Sequence, residues 1–283
     1  MSDILNANYH SSDFDYDIWA SEARASYTLP SFSSDIQTSQ SADDDTADKK
    51  HWDFFFKNHN SGTFFKPRKY LFMEFQKWLT LPNSNSEYPE DSLRIVEVGC
   101  GHGCSMYPLM NGLSYVEKYI ATDYSLNALT ILKENPSYDH SRIVTAFWDV
   151  TVPPDLNGLF QKPSDAVLCI FALSAVKPEL HVTALKNMAA ILKPNGVILF
   201  RDYGMHDMTM YRHTLRHAEN LYQRSDSTLA YYFDMAYMRE IAALSGLTVI
   251  ELEYATVEVR NRKMENRMKR VFLHAVLQRE RED

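Results

Sequence analysis

IVEVGCGHG, residues 95–103, decides how the rest of the chain is read. An apolar run carrying one acid, Glu97, opens directly into Gly99, Gly101 and Gly103. Such a pattern is a buried strand entering a tight turn in which side chains would be in the way. Glycine there accepts positive φ and lets backbone N–H groups come close to a ligand. The following CSMYPLMNGL reads as a helix whose N-terminus faces that ligand.

The spacing of the glycines narrows the ligand. A dinucleotide fingerprint places its third glycine three residues after the second. Here the gap is two, so no G-x-G-x-x-G can be written. The stretch instead resembles the E/D-x-G-x-G-x-G loop of S-adenosylmethionine-dependent methyltransferases, in which the loop approaches the amino-acid end of the cofactor. A site of this kind expects a second acid at the end of the next strand, to receive ribose hydroxyls. EKYIATD at 117–123 supplies Asp123, 24 residues after Gly99. Asp123 also suits a cap for a helix starting near Ser125. The complete strand–turn–helix context favours the cofactor reading.

The chain has 283 residues, 45% of them hydrophobic, enough for one large domain or two small ones. It contains no apolar run of about 18 residues, so no membrane span is expected. MSDILNANYH lacks the basic start and apolar core of a signal peptide, which points to the cytosol or nucleus. Cys100, Cys104 and Cys169 are too few for a disulfide framework and read as reduced packing residues, with no metal site. The formal charge of −8 is concentrated in residues 1–48, where ten acids face one base, Arg24. That segment carries −9, which leaves +1 for residues 49–283. An acidic, Ser/Asp/Ala-rich leader of this kind is expected to be disordered, with a short helix conceivable at 15–27.

The folded part is expected from residue 49. HWDFFFKNHNSGTFFKPRKYLFMEFQKWLTL at 51–81 packs ten aromatics among basic residues and reads as a lid, with helical spacing from Pro67 to Leu81. After a linker at 83–92, strands are expected at 93–98, 117–122, 142–147, 165–171 and 196–202. Helices alternate with them at 104–112, 125–134 and 178–192. A polar, aromatic-rich insertion spans 203–232, and a helix at 234–244 precedes strands near 247–258 and 270–278. This alternation predicts an α/β, Rossmann-like, doubly wound sheet of seven strands, with its site at the strands' C-terminal edge. The N-terminal lid covers 49–82.

Four strand ends bring polar groups to that edge: Glu97 with the glycine loop, Asp123, Asp149 and Asp202. Asp149 or the backbone of Val150 suits an adenine amine, although a cap before Pro153 explains the acid equally. FRDYG at 200–204 is expected to place Arg201, Asp202 and Tyr203 at one mouth; an Arg201–Asp202 ion pair fixing a loop is the plainer alternative. Basic residues interleaved with aromatics surround the cleft: Lys57, Lys66 and Arg68 in the lid, Arg212, Arg216 and Arg224 in the insertion. Near the C-terminus RNRKMENRMKR at 260–270 sets Arg260, Arg262, Lys263, Arg267, Lys269 and Arg270 against Glu265 alone. Such interleaving holds phosphates and stacks splayed bases, which points to RNA.

Taken with these residues, the chain from about His51 to Leu277 resembles the tRNA N3-methylcytidine methyltransferase family. The resemblance rests on WDFFFK…FFKPR, VEVGCGHGCSMYPL, ATDYS, FALSAVKPE, LKPNGVILFRDYG, ENLYQRSDSTLAYYF and RVFL. It implies methylation of cytidine N3 at position 32 of a tRNA anticodon loop, with serine acceptors favoured, threonine acceptors possible, and seryl-tRNA synthetase a candidate partner. It also implies S-adenosylmethionine contacts from Trp52, Phe56, Gly99, Gly101, Asp123, Asp149, Val150 and Ile170. Phe56 stands where the family often has Tyr, Cys104 where it has Asn, and Ser227 and Leu229 where it tends to have Gly and Arg.

The chemistry can be argued separately. Cytosine N3 carries a free lone pair, so no base is needed to create the nucleophile, and the ring becomes cationic as it is methylated. A nearby carboxylate would stabilise that charge. Asp202 is the expected catalytic group, with Arg201 and Tyr203 positioning the RNA. A small-molecule or protein methyltransferase, and a non-catalytic RNA-binding subunit, are the competing readings.

Overall fold

A computed structural model describes residues 7, 9–32, 42–59, 61–62, 64–80, 92–261 and 266–280. Most of the linker at 83–92, and Arg262, Lys263 and Glu265 of the basic segment, lie outside the described residues.

The chain opens with α1 (Tyr16–Ser26) and α2 (Ala42–Asn58), then two short helices, α3 (Leu71–Glu74) and α4 (Gln76–Leu79). The alternating body follows: β1 (Leu93–Val98), α5 (Met106–Gly112), β2 (Val116–Asp123), α6 (Leu126–Glu134), β3 (Ile143–Phe147), β4 (Ser164–Ile170), α7 (His181–Ala190) and β5 (Leu192–Tyr203). Three short strands, β6 (Leu215–Ala218), β7 (Leu221–Gln223) and β8 (Leu229–Tyr231), form an antiparallel sheet of their own inside the expected insertion. The chain then runs through α8 (Met235–Leu244) to β9 (Leu247–Asn261) and β10 (Asn266–Arg279).

The main sheet has seven strands in the order β3-β2-β1-β4-β5-β10-β9. The first five are parallel, and β10 runs antiparallel to both β5 and β9. Strand β1 is central because its residues are apolar on both faces: Ile95 and Val96 are fully buried in two different clusters on opposite sides of the sheet. The strand order reverses at β1 and β4, so the crevice at their C-terminal ends is where a ligand is expected to bind.

Three expectations need correcting. The first is disorder of the leader: residues 9–32 belong to the folded body. Ser11 and Asp13 exchange backbone hydrogen bonds with Thr256 of β9, covering part of that edge strand. Asp15 caps α1, and Trp19, Ala20 and Ala23 bury its inner face. The Trp19 indole N–H donates to the His206 carbonyl at 2.8 Å. Glu22 pairs with Lys269 at 3.0 Å. Composition averaged over 48 residues concealed this short apolar face.

The second is the helix over 67–81, which is broken at Phe75. Phe75 is fully buried and stacks on His274, while the adjacent Glu74 is drawn into an ion pair with Arg201 at 2.7 Å. One straight helix does not deliver both neighbours to the same interior site. The third is the helix over 178–192, which begins as a 3-10 turn at Pro178–Leu180 and yields to β5 at Leu192.

Replacing Trp19 by alanine removes the buried indole and its hydrogen bond, roughly 3 kcal/mol of docking. Limited proteolysis should then show trypsin cutting after Arg24 on the order of a hundred times faster than in the wild type. An unchanged cleavage rate would mean that α1 is held by something else.

Candidate active site

A cavity of about 290 Å³ lies along the C-terminal edge of the sheet. It is lined in sheet order by the C-terminal ends of β3, β2, β1, β4 and β5 and by the first half of the antiparallel β10. The β3–β2–β1 end and the β4–β5–β10 end differ in chemistry.

At the β3–β2–β1 end the glycine loop turns with φ of 64°, 53° and 86° at Gly99, Gly101 and Gly103. A Cβ on Gly99 would come within 2.8 Å of the Ala172 Cβ, so the loop has no room for a side chain there. Asp123, at the tip of β2, accepts the Gly101 N–H on one carboxylate oxygen and the Ser125 N–H on the other, both at 2.9 Å. Burial pushes its pKa up to about 6, against the downward pull of those N–H donors. Glu97 is fully buried beneath the loop, accepts the Tyr119 hydroxyl at 2.8 Å, and is pushed up to about 7, chiefly by burial. It does not line the cavity.

From above, α2 brings Trp52 and Phe56 over this end. The Phe56 ring would lie 3.2 Å from a Cβ on Gly101. The Trp52 indole N–H is buried without a hydrogen-bond partner. Further along the lid, the Phe65 ring stacks on His102, and its N–H donates to His102 Nε2 at 3.3 Å. Burial moves that imidazole below its usual range. Trp52, Phe56, Gly99, Gly101, Asp123, Asp149, Val150 and Ile170 all line the cavity.

The β4–β5–β10 end is aromatic with a guanidinium rim. Phe171 packs against Tyr203 and Phe272, with centroids 5.2 and 5.5 Å apart. Arg68 lies 4.9 Å over Phe171 and donates to Ser105 Oγ. Arg224 donates to the Tyr203 hydroxyl at 2.8 Å and also reaches over Trp52. Arg270 sits 5.1 Å over Phe272 and is paired with the buried Asp207 at 2.8 Å.

The expected mouth of Arg201, Asp202 and Tyr203 needs correcting: only Tyr203 lines the cavity. Successive strand residues point to opposite faces, so Tyr203 and Arg201 share one face and Asp202 takes the other. On the shared face, β10 sets Phe272 opposite Tyr203 and His274 opposite Arg201. Arg201 therefore lies one layer below the mouth, only 2% exposed, between the Tyr70 and Phe272 rings and paired with Glu74. Asp202 is fully buried, and its carboxylate accepts the Ser174 and Tyr203 N–H groups at 2.9 Å. Burial raises its pKa to about 6.

Of the basic residues singled out for RNA, Arg68, Arg224 and Arg270 line the cavity, while Lys57, Lys66 and Arg212 are exposed away from it. Arg216 stacks on Phe32 and donates to the Glu219 carbonyl within the small sheet. Sequence reasoning gave Phe272 no site role: it sits in the RVFL stretch but reaches the cavity only through antiparallel pairing of β10 with β5. It also missed Asp53, hidden among the lid aromatics. Among the described residues no group of three or more His, Cys, Asp or Glu is placed to hold a metal, and no helix is long and apolar enough to cross a membrane.

Comparison with known proteins agrees with this architecture. A methyltransferase-domain family model matches residues 68–252. A solved S-adenosylmethionine-dependent methyltransferase from Anabaena variabilis superposes with a TM-score of 0.62 at 11% identity, covering 89% of this chain and 98% of that one, which shows the shared fold. The human tRNA N(3)-cytidine methyltransferase METTL6 is 34% identical over 80% of this chain and 78% of its own. The tRNA(Thr) (cytosine(32)-N(3))-methyltransferase of Saccharomyces cerevisiae is 32% identical over 80% of this chain, though over only 36% of its own length. On this evidence the chain belongs to the S-adenosylmethionine-dependent tRNA N3-cytidine methyltransferase family.

Proposed function

We propose that this enzyme methylates N3 of cytidine 32 in the anticodon loop of serine tRNAs, with donor and acceptor meeting in the one cavity. The observation that carries this reading is the cavity's division: a glycine loop and buried acid at one end, an aromatic cluster rimmed by arginines at the other.

The donor end fits its cofactor. Gly99 has no room for a Cβ beside Ala172, which leaves the backbone of the loop to meet the ligand, and the Trp52 side chain lines the cavity with its indole N–H buried and unpaired. Asp123 would hold the ribose hydroxyls, the glycine loop the amino-acid end, Asp149 and Val150 the adenine edge, and Trp52, Phe56 and Ile170 the ring faces. S-adenosylmethionine supplies an electrophilic methyl group there.

At the acceptor end Phe171, Tyr203 and Phe272 offer π-faces to a splayed pyrimidine, and Arg68, Arg224 and Arg270 offer donors to the flanking phosphates. The target base must leave any stack to present its Watson–Crick edge, which suits a loop nucleotide. Because N3 attacks with its own lone pair, no side chain has to remove a proton first. Asp202 serves as a positioning residue: it fixes the Ser174 turn and the Tyr203 backbone. Although it does not line the cavity, its buried negative charge, in a weakly screened interior, favours the ring cation that develops there.

Serine acceptors are the ones the sequence resemblance favours, and the relative named for tRNA(Thr) makes threonine acceptors the alternative. A folded body close to neutrality offers only local basic patches, which makes seryl-tRNA synthetase a suitable helper for choosing the tRNA.

Two outcomes are expected. Mass mapping of tRNAs from cells lacking the enzyme should show 3-methylcytidine lost at position 32 of serine tRNAs. Loss from threonine tRNAs alone would overturn the serine assignment, and loss from neither would overturn the position. In titration calorimetry, S-adenosylmethionine affinity should be flat above pH 7 and fall about tenfold per pH unit below pH 6, because the ribose hydroxyls donate to ionised Asp123. Equal affinity at pH 5 and pH 7.5 would remove Asp123 from that role.

A further inference from the structure

Asp53 lies on α2 between Trp52, which lines the cavity, and Phe54, which is exposed. One of its carboxylate oxygens accepts the Ser125 hydroxyl at 2.8 Å and the Asn127 N–H at 3.3 Å. The other accepts the Asn127 side-chain amide at 2.9 Å, which also reaches the Asp53 carbonyl at 3.3 Å. Ser125 caps α6, its Oγ accepting the Ala128 N–H at 3.1 Å. Its own N–H goes to Asp123, whose second oxygen takes Gly101. A continuous hydrogen-bonded path therefore runs from lid helix to glycine loop: Asp53, Ser125, Asp123, Gly101.

We propose that Asp53 is the positioning residue that seats the lid on the cofactor site. Phe55 and Phe56 pack on Ala128 but give α2 only a greasy contact that tolerates sliding. The carboxylate adds direction: its acceptors match three donors at the start of α6, where the helix dipole also favours negative charge. With Asp53 in place, Trp52 and Phe56 on the next turn of the same helix are held over Gly101 and Asp123. Asp53 touches neither reacting group; it acts through the placement of those two rings. This role rests on assigning the β3–β2–β1 end of the cavity to S-adenosylmethionine.

The test compares wild type, Asp53→Ala, Asp53→Asn and the double variant Asp53→Asn with Asn127→Asp, which exchanges the amide and the carboxylate while keeping a donor opposite an acceptor. Calorimetry with S-adenosylhomocysteine should show the dissociation constant of Asp53→Ala raised on the order of 10-fold or more. Its kcat at saturating S-adenosylmethionine should stay within about 3-fold of wild type, as expected of a group absent from the reacting centre. The double variant should bind several-fold more tightly than Asp53→Asn alone. S-adenosylhomocysteine should also slow tryptic cleavage after the exposed Lys57 in wild type but not in Asp53→Ala.

If Asp53→Ala binds as wild type does, the positioning role is wrong while the site assignment stands. If wild type itself binds no S-adenosylhomocysteine, the site assignment falls first. Should Asp53→Ala fail to fold, the exchange decides: no gain over Asp53→Asn overturns the proposal.

Discussion

The buried carboxylate of Asp123 is the constraint on which the site depends. It ends β2, yet its two oxygens tie the glycine loop after β1 to the first turn of α6. Three segments that meet nowhere else in sequence are thereby fixed within hydrogen-bond distance of one another. The arrangement is costly, since burial leaves the acid raised to about 6 even against the pull of its N–H donors. Two well-placed N–H donors keep the charged form accessible near neutral pH. Positive φ at Gly99 and Gly101 is what allows the loop to bring its N–H to that acid.

The acceptor end is braced differently. Tyr203 and Phe272 form the visible layer, and Arg201, Glu74 and His274 form the layer beneath. Arg201 presses against the underside of Phe272 at 4.4 Å, and Glu74 binds both Arg201 and His274. An unpaired cation at this depth would be prohibitive, and the adjoining acid makes it tenable. The pair thus serves as a stiff floor for an aromatic pocket. The N-terminal segment reinforces the same region from outside, joining β9 and β10 to the small sheet through Trp19, Glu22 and Phe32.

What could be read from sequence was what is local in the fold. The glycine loop, Asp123 and the alternating strands each carry their signal within a few residues; β1 to β4 lie within two residues of where the pattern put them, while β5 and β10 begin four residues earlier. Arg201 and Asp202 were misplaced because neighbours in sequence were treated as neighbours at a surface. In a strand they face opposite ways, and the depth of each is set by Glu74 and Ser174, far away in the chain. Phe272 and Asp53 were illegible for the same reason: their partners come from other segments. The leader was misjudged because ten acids dominate its composition, while Trp19, Ala20 and Ala23 decide its packing.

A single cavity that holds methyl donor at one end and cytosine at the other is the central claim. A crystal structure with S-adenosylhomocysteine tests it most directly. The ribose hydroxyls should sit on Asp123, with the sulfur at the glycine loop and directed toward Tyr203 and Phe272. A sulfur turned away from that aromatic end, or a cofactor bound outside the cavity, would contradict the account.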